Sequence, residues 1–154
     1  MRAHQGVVRA FLRRLTRNEA LADDLAQDTF LKAYQNKKQL KDIETSRAWL
    51  FQIAYRTYVD DTRKDIRRRG LAEQNIVPVD ETTRPQNDMQ MDIERAMDTL
   101  DPECRAVVIL CLAYGFSHVE TSQATHMPLG TVKSHVLRGK SKLRTFLSDY
   151  ERAS

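Results

Sequence analysis

The feature that most constrains the fold is a turn at residues 127–130 that leads directly into a long basic helix. Pro128 and Gly130 supply the turn. Apolar side chains then recur every three or four residues, as one buried helix face requires: Val132, Val136, Leu143 and Leu147. The rest of the helix surface begins with short hydrogen-bonding side chains and continues with cations. This order is typical of a helix whose first turns read base edges in the major groove and whose later turns hold phosphates.

A second, shorter helix is predicted in front of this turn. Ser117 and Glu120 fit a capping box, and the helix that they begin ends near His126. Further upstream, Asp101 followed by Pro102 is a start signal for another helix. A short helix, a tight turn and a basic second helix together predict a helix-turn-helix.

The composition favours a helical protein without a membrane segment. The chain has 154 residues, of which 41% are hydrophobic, and only five glycines and four prolines. These values predict an all-α fold of one ordinary domain or two small ones. No apolar run approaches the roughly 18 residues of a membrane span, and the N-terminus lacks the apolar core of a signal peptide. We therefore expect a cytoplasmic protein with no membrane insertion.

Charge divides the chain into two basic blocks and an acidic connector. Residues 1–70 hold sixteen Lys and Arg against nine Asp and Glu, residues 71–94 hold one against six, and residues 95–154 hold eight against six. Two modules that face nucleic acid would produce this pattern, although charge runs are more often simply solvated. Residues 71–87 also lack a hydrophobic period, which predicts a flexible linker between domains at 1–70 and 88–154.

The first 70 residues are predicted to form three helices, with Asn18 as the cap of the second and Ser46 near the start of the third. The first two helices take their apolar surface from Val7, Val8, Phe11, Leu12 and Leu15, and from Leu21, Leu25, Phe30, Leu31 and Tyr34. The third carries two stripes on nearly opposite faces: Trp49, Leu50, Ile53 and Ala54, and then Phe51, Tyr55 and Tyr58. The second stripe either packs on the loop and the first helix or offers rings on which unpaired bases stack.

The sequence carries no sign of an enzyme. No nucleophile–base pair, metal cluster or phosphate-binding glycine loop is recognisable. The two cysteines, Cys104 and Cys111, are interpreted as buried thiols, because His118 and His126 do not complete a recognised metal-ligand spacing. We expect no catalytic activity, no metal and no cofactor.

Three segments in this order resemble the extracytoplasmic-function (group IV) sigma factors of bacterial RNA polymerase, in the sigma-70 family. Residues 24–34 resemble region 2.2 of that family, and residues 47–54, with Asp60 and Arg63, resemble regions 2.3 and 2.4. Residues 100–134 resemble region 4. The likeness covers nearly the whole chain, and it implies a three-helix region 2 domain joined by the flexible linker to a region 4 helix-turn-helix domain.

The resemblance also implies a role for each segment. Asp24, Gln27 and Asp28 would bind the β′ coiled coil of core RNA polymerase, although without the resemblance a solvated helix face is the favoured interpretation of these residues. The promoter −10 element, held as a single strand, would contact Lys37, Lys38, Lys41, Arg56, Arg63 and Lys64. The −35 duplex would contact Thr131, Lys133, Ser134, His135, Arg138 and Lys140. The β flap of the polymerase and an anti-sigma factor are further partners that the resemblance implies.

The chain departs from the family pattern at several positions. Arg56 stands where the family usually has Asn, His135 where Arg is common, and Gly139 where Ala is common, at a helix cost of about 1 kcal/mol. In the first helix of the helix-turn-helix, polar residues replace apolar or small ones and a histidine replaces glycine: Thr121, Ser122, Thr125 and His126. Hydroxyls at apolar contacts predict a less stably held turn.

Three functions are therefore considered. The first is a sigma factor that directs promoter-specific transcription initiation. A helix-turn-helix regulator with an accessory helical domain explains residues 101–147 but leaves the segments in the first domain without a role. A sigma-like adaptor that keeps polymerase docking but has lost promoter reading is the third, and the departures in the helix-turn-helix give it some support. The sigma factor is the leading interpretation, because it accounts for all three segments.

Overall fold

The computed structural model describes residues 4–40, 46–70 and 88–153. Over these ranges the chain is helical and has no strand, so the all-α prediction is confirmed. The helices are α1 (Gln5–Thr16), α2 (Glu19–Gln35), α3 (Ser46–Arg69), α4 (Asp88–Asp98), α5 (Pro102–Val108), α6 (His118–Thr125) and α7 (Leu129–Ala153). The chain divides into two compact units, Met1–Thr83 (unit 1) and Arg84–Ser154 (unit 2). The predicted linker, residues 71–87, lies outside the described ranges and stays a prediction.

Unit 1 packs α1, α2 and α3 together. Asn18 caps α2 as predicted, because its side chain accepts a hydrogen bond from the Leu21 N–H at 3.0 Å. The buried face of α2 consists largely of small side chains: Ala22, Leu25, Ala26, Thr29 and Ala33. Leu31 and Tyr34, which were expected to add apolar packing surface, are exposed instead. Because its buried side chains are small, α2 can pack closely on its neighbours without burying Leu31 or Tyr34.

Residues from both predicted stripes of α3 share one buried face, so the prediction of two nearly opposite stripes was wrong. Leu50, Phe51, Ala54 and Tyr55 are buried together, as neighbours at three- and four-residue spacing are in a helix. The Phe51 ring lies 5.1 Å from that of Phe11 in α1, measured between centroids. Phe51 therefore belongs to the core, which was the first of the two interpretations of its stripe.

Unit 2 is built around α5 and α7. Asp101 caps α5 by accepting the Cys104 N–H at 2.8 Å, and Pro102 occupies the first turn, as predicted. The helix continues as one π-helical turn, Ile109–Ala113. Two apolar clusters join these helices: Leu100, Cys104 and Val108 with Met97 and Leu143, and Val107, Val132 and Val136 with Cys111 and Met127. The apolar face predicted for α7 thus packs on α5.

Cys104 is a core residue of this packing. Its thiol is buried and donates to the His135 carbonyl oxygen at 3.3 Å. Burial, with a smaller contribution from the Asp101 charge, raises the pKa of the Cys104 thiol. A thiol in this state is a poor nucleophile, which agrees with the interpretation of Cys104 as a buried structural residue.

Gly139 allows α7 to approach α5 closely. A Cβ at this position would clash with Cγ2 of Val108 and would lie 3.7 Å from Sγ of Cys104. The glycine therefore has a packing reason that its helix propensity does not reveal.

None of the helices in the described part of the chain combines the length and the apolar character of a membrane span.

We predict that Gly139→Ala lowers the free energy of unfolding of unit 2 by about 1 kcal/mol or more, because overpacking outweighs the gain in helix propensity. Gly130→Ala, also in α7, is the control, since a Cβ there meets nothing within 4 Å. It should leave stability unchanged or raise it slightly. Urea unfolding of the full chain measures the change, and hydrogen exchange of α5 and α7 amides locates it. A stabilised Gly139→Ala variant would show that the contact is easily relieved.

Candidate functional site

The helix-turn-helix of unit 2 consists of α6 and α7. Ser117 Oγ accepts the Glu120 N–H at 3.0 Å, and Glu120 Oε1 accepts the Ser117 N–H at 3.1 Å, which confirms the predicted capping box. His126 ends α6 with a left-handed φ of 60°. Glycine adopts this conformation without steric cost, which explains why a glycine suits this position and why histidine is unusual there.

The hydroxyl groups of α6 are hydrogen-bonded, and those of Ser122 and Thr125 bond to Met127 in the turn, so the premise of hydroxyls left at apolar contacts was wrong. Ser122 Oγ donates to the Met127 carbonyl oxygen at 2.6 Å. Thr125 Oγ1 donates to the Thr121 carbonyl oxygen at 2.7 Å and accepts the Met127 N–H at 3.3 Å. Thr121 Oγ1 donates to the Ser117 carbonyl oxygen at 2.9 Å. Each of these part-buried or buried hydroxyls is satisfied, which removes the penalty of placing it in the interior.

Five of the six residues predicted to contact the −35 duplex are exposed on α7: Thr131, Lys133, Ser134, Arg138 and Lys140. Ser134 and Arg138 follow one row of the helix at a four-residue spacing, and Lys133 and Lys140 follow a neighbouring row at a seven-residue spacing. The structure therefore presents two polar rows on one helix. Their roles in DNA binding stay predictions.

His135 is the exception, and its prediction is corrected. The residue is only 7% exposed. Its Nε2 lies 3.9 Å from Oε2 of Glu103 in α5, and its Nδ1 is buried with no hydrogen-bond partner. The same side of α7 carries Gly139 against α5, four residues later. The side chain therefore faces the interior of unit 2 and is not available to a base edge.

Leu137 is a candidate that the sequence interpretation missed. It is 73% exposed, between the rows of Lys133 and Ser134. An apolar side chain that solvent reaches in the middle of a polar helix face is suited to the methyl group of thymine. The sequence did carry a sign of it, because Leu137 directly follows Val136 and is turned about 100° away from the buried stripe.

Arg138 and Lys142 also contact the body of unit 2. Nη1 of Arg138 lies 3.7 Å from Oδ2 of Asp101. Nζ of Lys142 donates to the Thr99 carbonyl oxygen at 3.3 Å. The segment between α4 and α5, which contains Thr99 and Asp101, therefore contacts the polar side of α7.

In unit 1, the residues predicted to bind the polymerase share one exposed face of α2. Asp24, Gln27 and Asp28 have the three- and four-residue spacing of neighbours on a helix, and all three are exposed. Leu31 continues this face and is 56% exposed. We define the α2 surface as these four residues. Leu31 was missed as a site residue because it was assigned to the core.

The basic residues predicted for the −10 element lie at two places in unit 1. Lys37 and Lys38 are exposed in the 3₁₀ turn Lys37–Gln39 that follows α2, and Nζ of Lys37 lies 4.5 Å from the centre of the Tyr34 ring. Arg56, Arg63 and Lys64 are exposed on α3, with the first two on one face, two turns apart. Lys41 lies outside the described residues.

No group of three or more His, Cys, Asp and Glu residues that could hold a metal ion occurs in the described part of the chain. The charged residues described above are exposed on α2, on α3, on α7 and in the 3₁₀ turn after α2.

Each of the two units matches a known protein family. Residues 1–69 match the family model of Sigma-70 region 2, and residues 90–143 match that of Sigma-70, region 4. The ECF RNA polymerase sigma factor EcfG of Rhodopseudomonas palustris is 33% identical over 91% of this chain and 78% of its own length. SigL of Mycobacterium tuberculosis is 31% identical, over 95% and 85% respectively. SigE of Mycolicibacterium smegmatis is 30% identical over 97% of this chain, which spans only 61% of SigE.

Two solved protein structures have a similar fold. The sigma factor RpoE of Bartonella quintana, crystallised with the anti-sigma factor NepR, superposes with a TM-score of 0.79 at 28% identity, covering 94% of this chain and 91% of that one. CnrH, in complex with the cytosolic domain of CnrY, has a TM-score of 0.68 at 23% identity over 96% and 84%. The second likeness supports the fold alone.

We predict that Thr125→Val destabilises unit 2 by about 1 kcal/mol, because it removes two hydrogen bonds of the helix-turn-helix at almost constant shape. Thr145→Val is a matched control: Thr145 Oγ1 makes the same type of bond, to the Ser141 carbonyl oxygen, but on the exposed side of α7. Its effect should stay within about 0.5 kcal/mol. Urea unfolding compares the two, and equal effects would refute a role of the Thr125 hydroxyl in the turn.

Proposed function

The chain belongs to the extracytoplasmic-function sigma factors of the sigma-70 family, and we propose that three of its surfaces divide the work of such a factor. The family binds core RNA polymerase and directs it to promoters. Unit 1 docks on the polymerase and holds the −10 element, and unit 2 binds the −35 element. The observation that carries this proposal is the presence, in one chain, of an exposed α2 surface and an exposed polar face on the second helix of a helix-turn-helix.

The α2 surface binds the β′ coiled coil. Asp24, Gln27 and Asp28 precede the exposed Leu31 on the same face of α2. Protein interfaces commonly combine apolar and polar side chains, and acidic groups complement a basic partner. A merely solvated helix face would also explain these residues, and the match of residues 1–69 to Sigma-70 region 2 is what favours docking.

The basic residues of unit 1 hold the −10 strand. Lys37, Lys38, Arg56, Arg63 and Lys64 are exposed cations suited to phosphates, and Lys41 completes the set by sequence. Trp49 and Tyr58 in α3 are only half-buried, so these rings remain available for stacking on unpaired bases. Arg56, where the family usually has Asn, supplies a charge to a phosphate in place of an amide to a base.

The outward face of α7 binds the −35 duplex. Lys133 and Lys140 contact phosphates, whereas Thr131, Ser134, Leu137 and Arg138 contact base edges. Unit 2 also meets the β flap, and an anti-sigma factor covers the protein when it is held inactive, as NepR binds RpoE in the related structure. The chain works in the cytoplasm, where the polymerase and the promoter are, and contributes binding without a chemical step of its own.

The two other functions have less support. A helix-turn-helix regulator has no use for the α2 surface. The adaptor that has lost promoter reading was favoured by the departures in α6 and at His135. The α6 hydroxyls are hydrogen-bonded and His135 faces the interior, so neither departure removes a group from the outward face of α7.

In vitro transcription with core RNA polymerase separates the three functions. Initiation at specific sites supports the sigma factor. Binding to duplex DNA without the polymerase supports the regulator, and binding to the polymerase without initiation supports the adaptor. Either of the last two results would overturn the proposal.

We predict that Asp28→Arg abolishes binding to core polymerase while the helical content of the chain is retained, because it places a cation against a basic partner surface. Circular dichroism monitors the fold, and a pull-down with core enzyme measures binding. Asp149→Arg, the same charge reversal at an exposed position of α7, should bind as the unchanged protein does. Retained binding of the Asp28 variant would sink the assignment of the α2 surface.

We predict different signatures for Lys133→Ala and Leu137→Ala in −35 duplex binding by the holoenzyme. Loss of Lys133 should weaken binding to all duplexes and reduce the slope of log K against log salt by about 1. Loss of Leu137 should leave that slope unchanged and relax the preference at one thymine. An unaltered slope for Lys133→Ala would show that Lys133 touches no phosphate.

A further inference from the structure

We propose that Asp101 positions Arg138 for base reading, so that −35 specificity depends on a residue outside the helix-turn-helix. The inference rests on the proposed function of α7, and it adds a specificity-determining residue to it. Asp101 is the residue immediately before α5, and its carboxylate faces the guanidinium of Arg138.

Asp101 is held in place independently of Arg138. One carboxylate oxygen, Oδ1, accepts the Cys104 N–H at 2.8 Å and thereby caps α5. Pro102 follows directly, and its ring restricts the backbone at the start of the helix. The other oxygen, Oδ2, remains for Nη1 of Arg138 at 3.7 Å. A carboxylate whose position is fixed by a cap can orient a flexible side chain beside it.

The relative position of α5 and α7 is also fixed next to this pair. Gly139, the residue after Arg138, lies where a Cβ would clash with Val108 of α5. The Cys104 thiol donates to the carbonyl oxygen of His135, three residues before Arg138. Asp101 and Arg138 are therefore held near one another by the packing of their helices, and the ion pair only selects the orientation of the guanidinium.

Arg138 keeps most of its hydrogen-bonding capacity while it contacts Asp101. A guanidinium has five N–H donors, and the ion pair involves one of its nitrogens. Both side chains are 54% exposed. Pairs this exposed contribute little to stability, which leaves orientation as the role that the contact can fulfil.

Orientation matters because base reading by arginine depends on geometry. A guanidinium contacts O6 and N7 of guanine with two parallel hydrogen bonds, so its plane must match the base edge. An unguided arginine has many rotamers and pays more to order on binding. Without Asp101, Arg138 would keep its charge for any nearby phosphate but would lose part of its preference for one base pair.

General electrostatics predicts tighter binding to every element with no change in discrimination, which makes the inference testable. Removing an acidic group near DNA reduces repulsion and should tighten binding. Glu103 provides the matched control, because it lies in the first turn of the same helix but faces His135 and not Arg138. Glu103→Gln removes the same charge from nearly the same place.

The test uses the full chain bound to core RNA polymerase. Promoters with a randomised −35 element are first selected with the unchanged holoenzyme, and the discrimination between the best element and each single-base variant is then measured. We expect Arg138→Ala to lower discrimination at one base pair about tenfold. Asp101→Asn should lower it about threefold at the same base pair, as expected for partial loss of that contact. Glu103→Gln should leave it unchanged.

Two further variants separate positioning from stability. Asparagine caps helices as well as aspartate, so Asp101→Asn should unfold at the same urea concentration as the unchanged protein, and Asp101→Ser provides a second neutral cap. In the Arg138→Ala background, Asp101→Asn should cause no further loss. Unchanged discrimination in Asp101→Asn, or the same loss in Glu103→Gln, overturns the inference and leaves the function of α7 intact. If the unchanged holoenzyme selects no −35 element, the proposed function fails first.

Discussion

The close packing of α7 on α5 determines how unit 2 presents its surface. Gly139 lets the two helices approach at Val108 and Cys104, where a larger side chain would clash. This contact fixes the rotation of α7 about its axis. It turns His135 inward and Leu137 outward. The identity of the exposed residues of α7, and therefore of every candidate base contact of unit 2, follows from that rotation.

Helix starts were predictable because their causes are local. Asn18, Asp101 and Ser117 each accept a backbone N–H within their own first turn, and nothing elsewhere in the fold is needed for that bond. The helix-turn-helix was predictable for the same reason. A cap, a turn with proline and glycine, and an amphipathic run are all read within a few residues.

The faces of the helices were harder to predict, because they depend on partners distant in sequence. The buried side of α2 is rich in alanine, so the large apolar residue Leu31 was assigned to the core although it lies outside. His135 is polar and was assigned to the surface, yet it packs inward opposite Glu103. In both cases the residue type suggested the wrong side of the helix. Which side is buried depends on how closely the helix packs on its neighbours.

The separation of inward and outward residues on α7 has an evolutionary consequence. Lys133, Ser134 and Leu137 make no core contact, so mutation can exchange them while the domain stays folded. His135 and Gly139 are held by their neighbours and tolerate little change. Under the proposed role of α7, duplicated copies of such a gene diverge in the promoters they select by changes at these exposed positions, while the packing of unit 2 is kept.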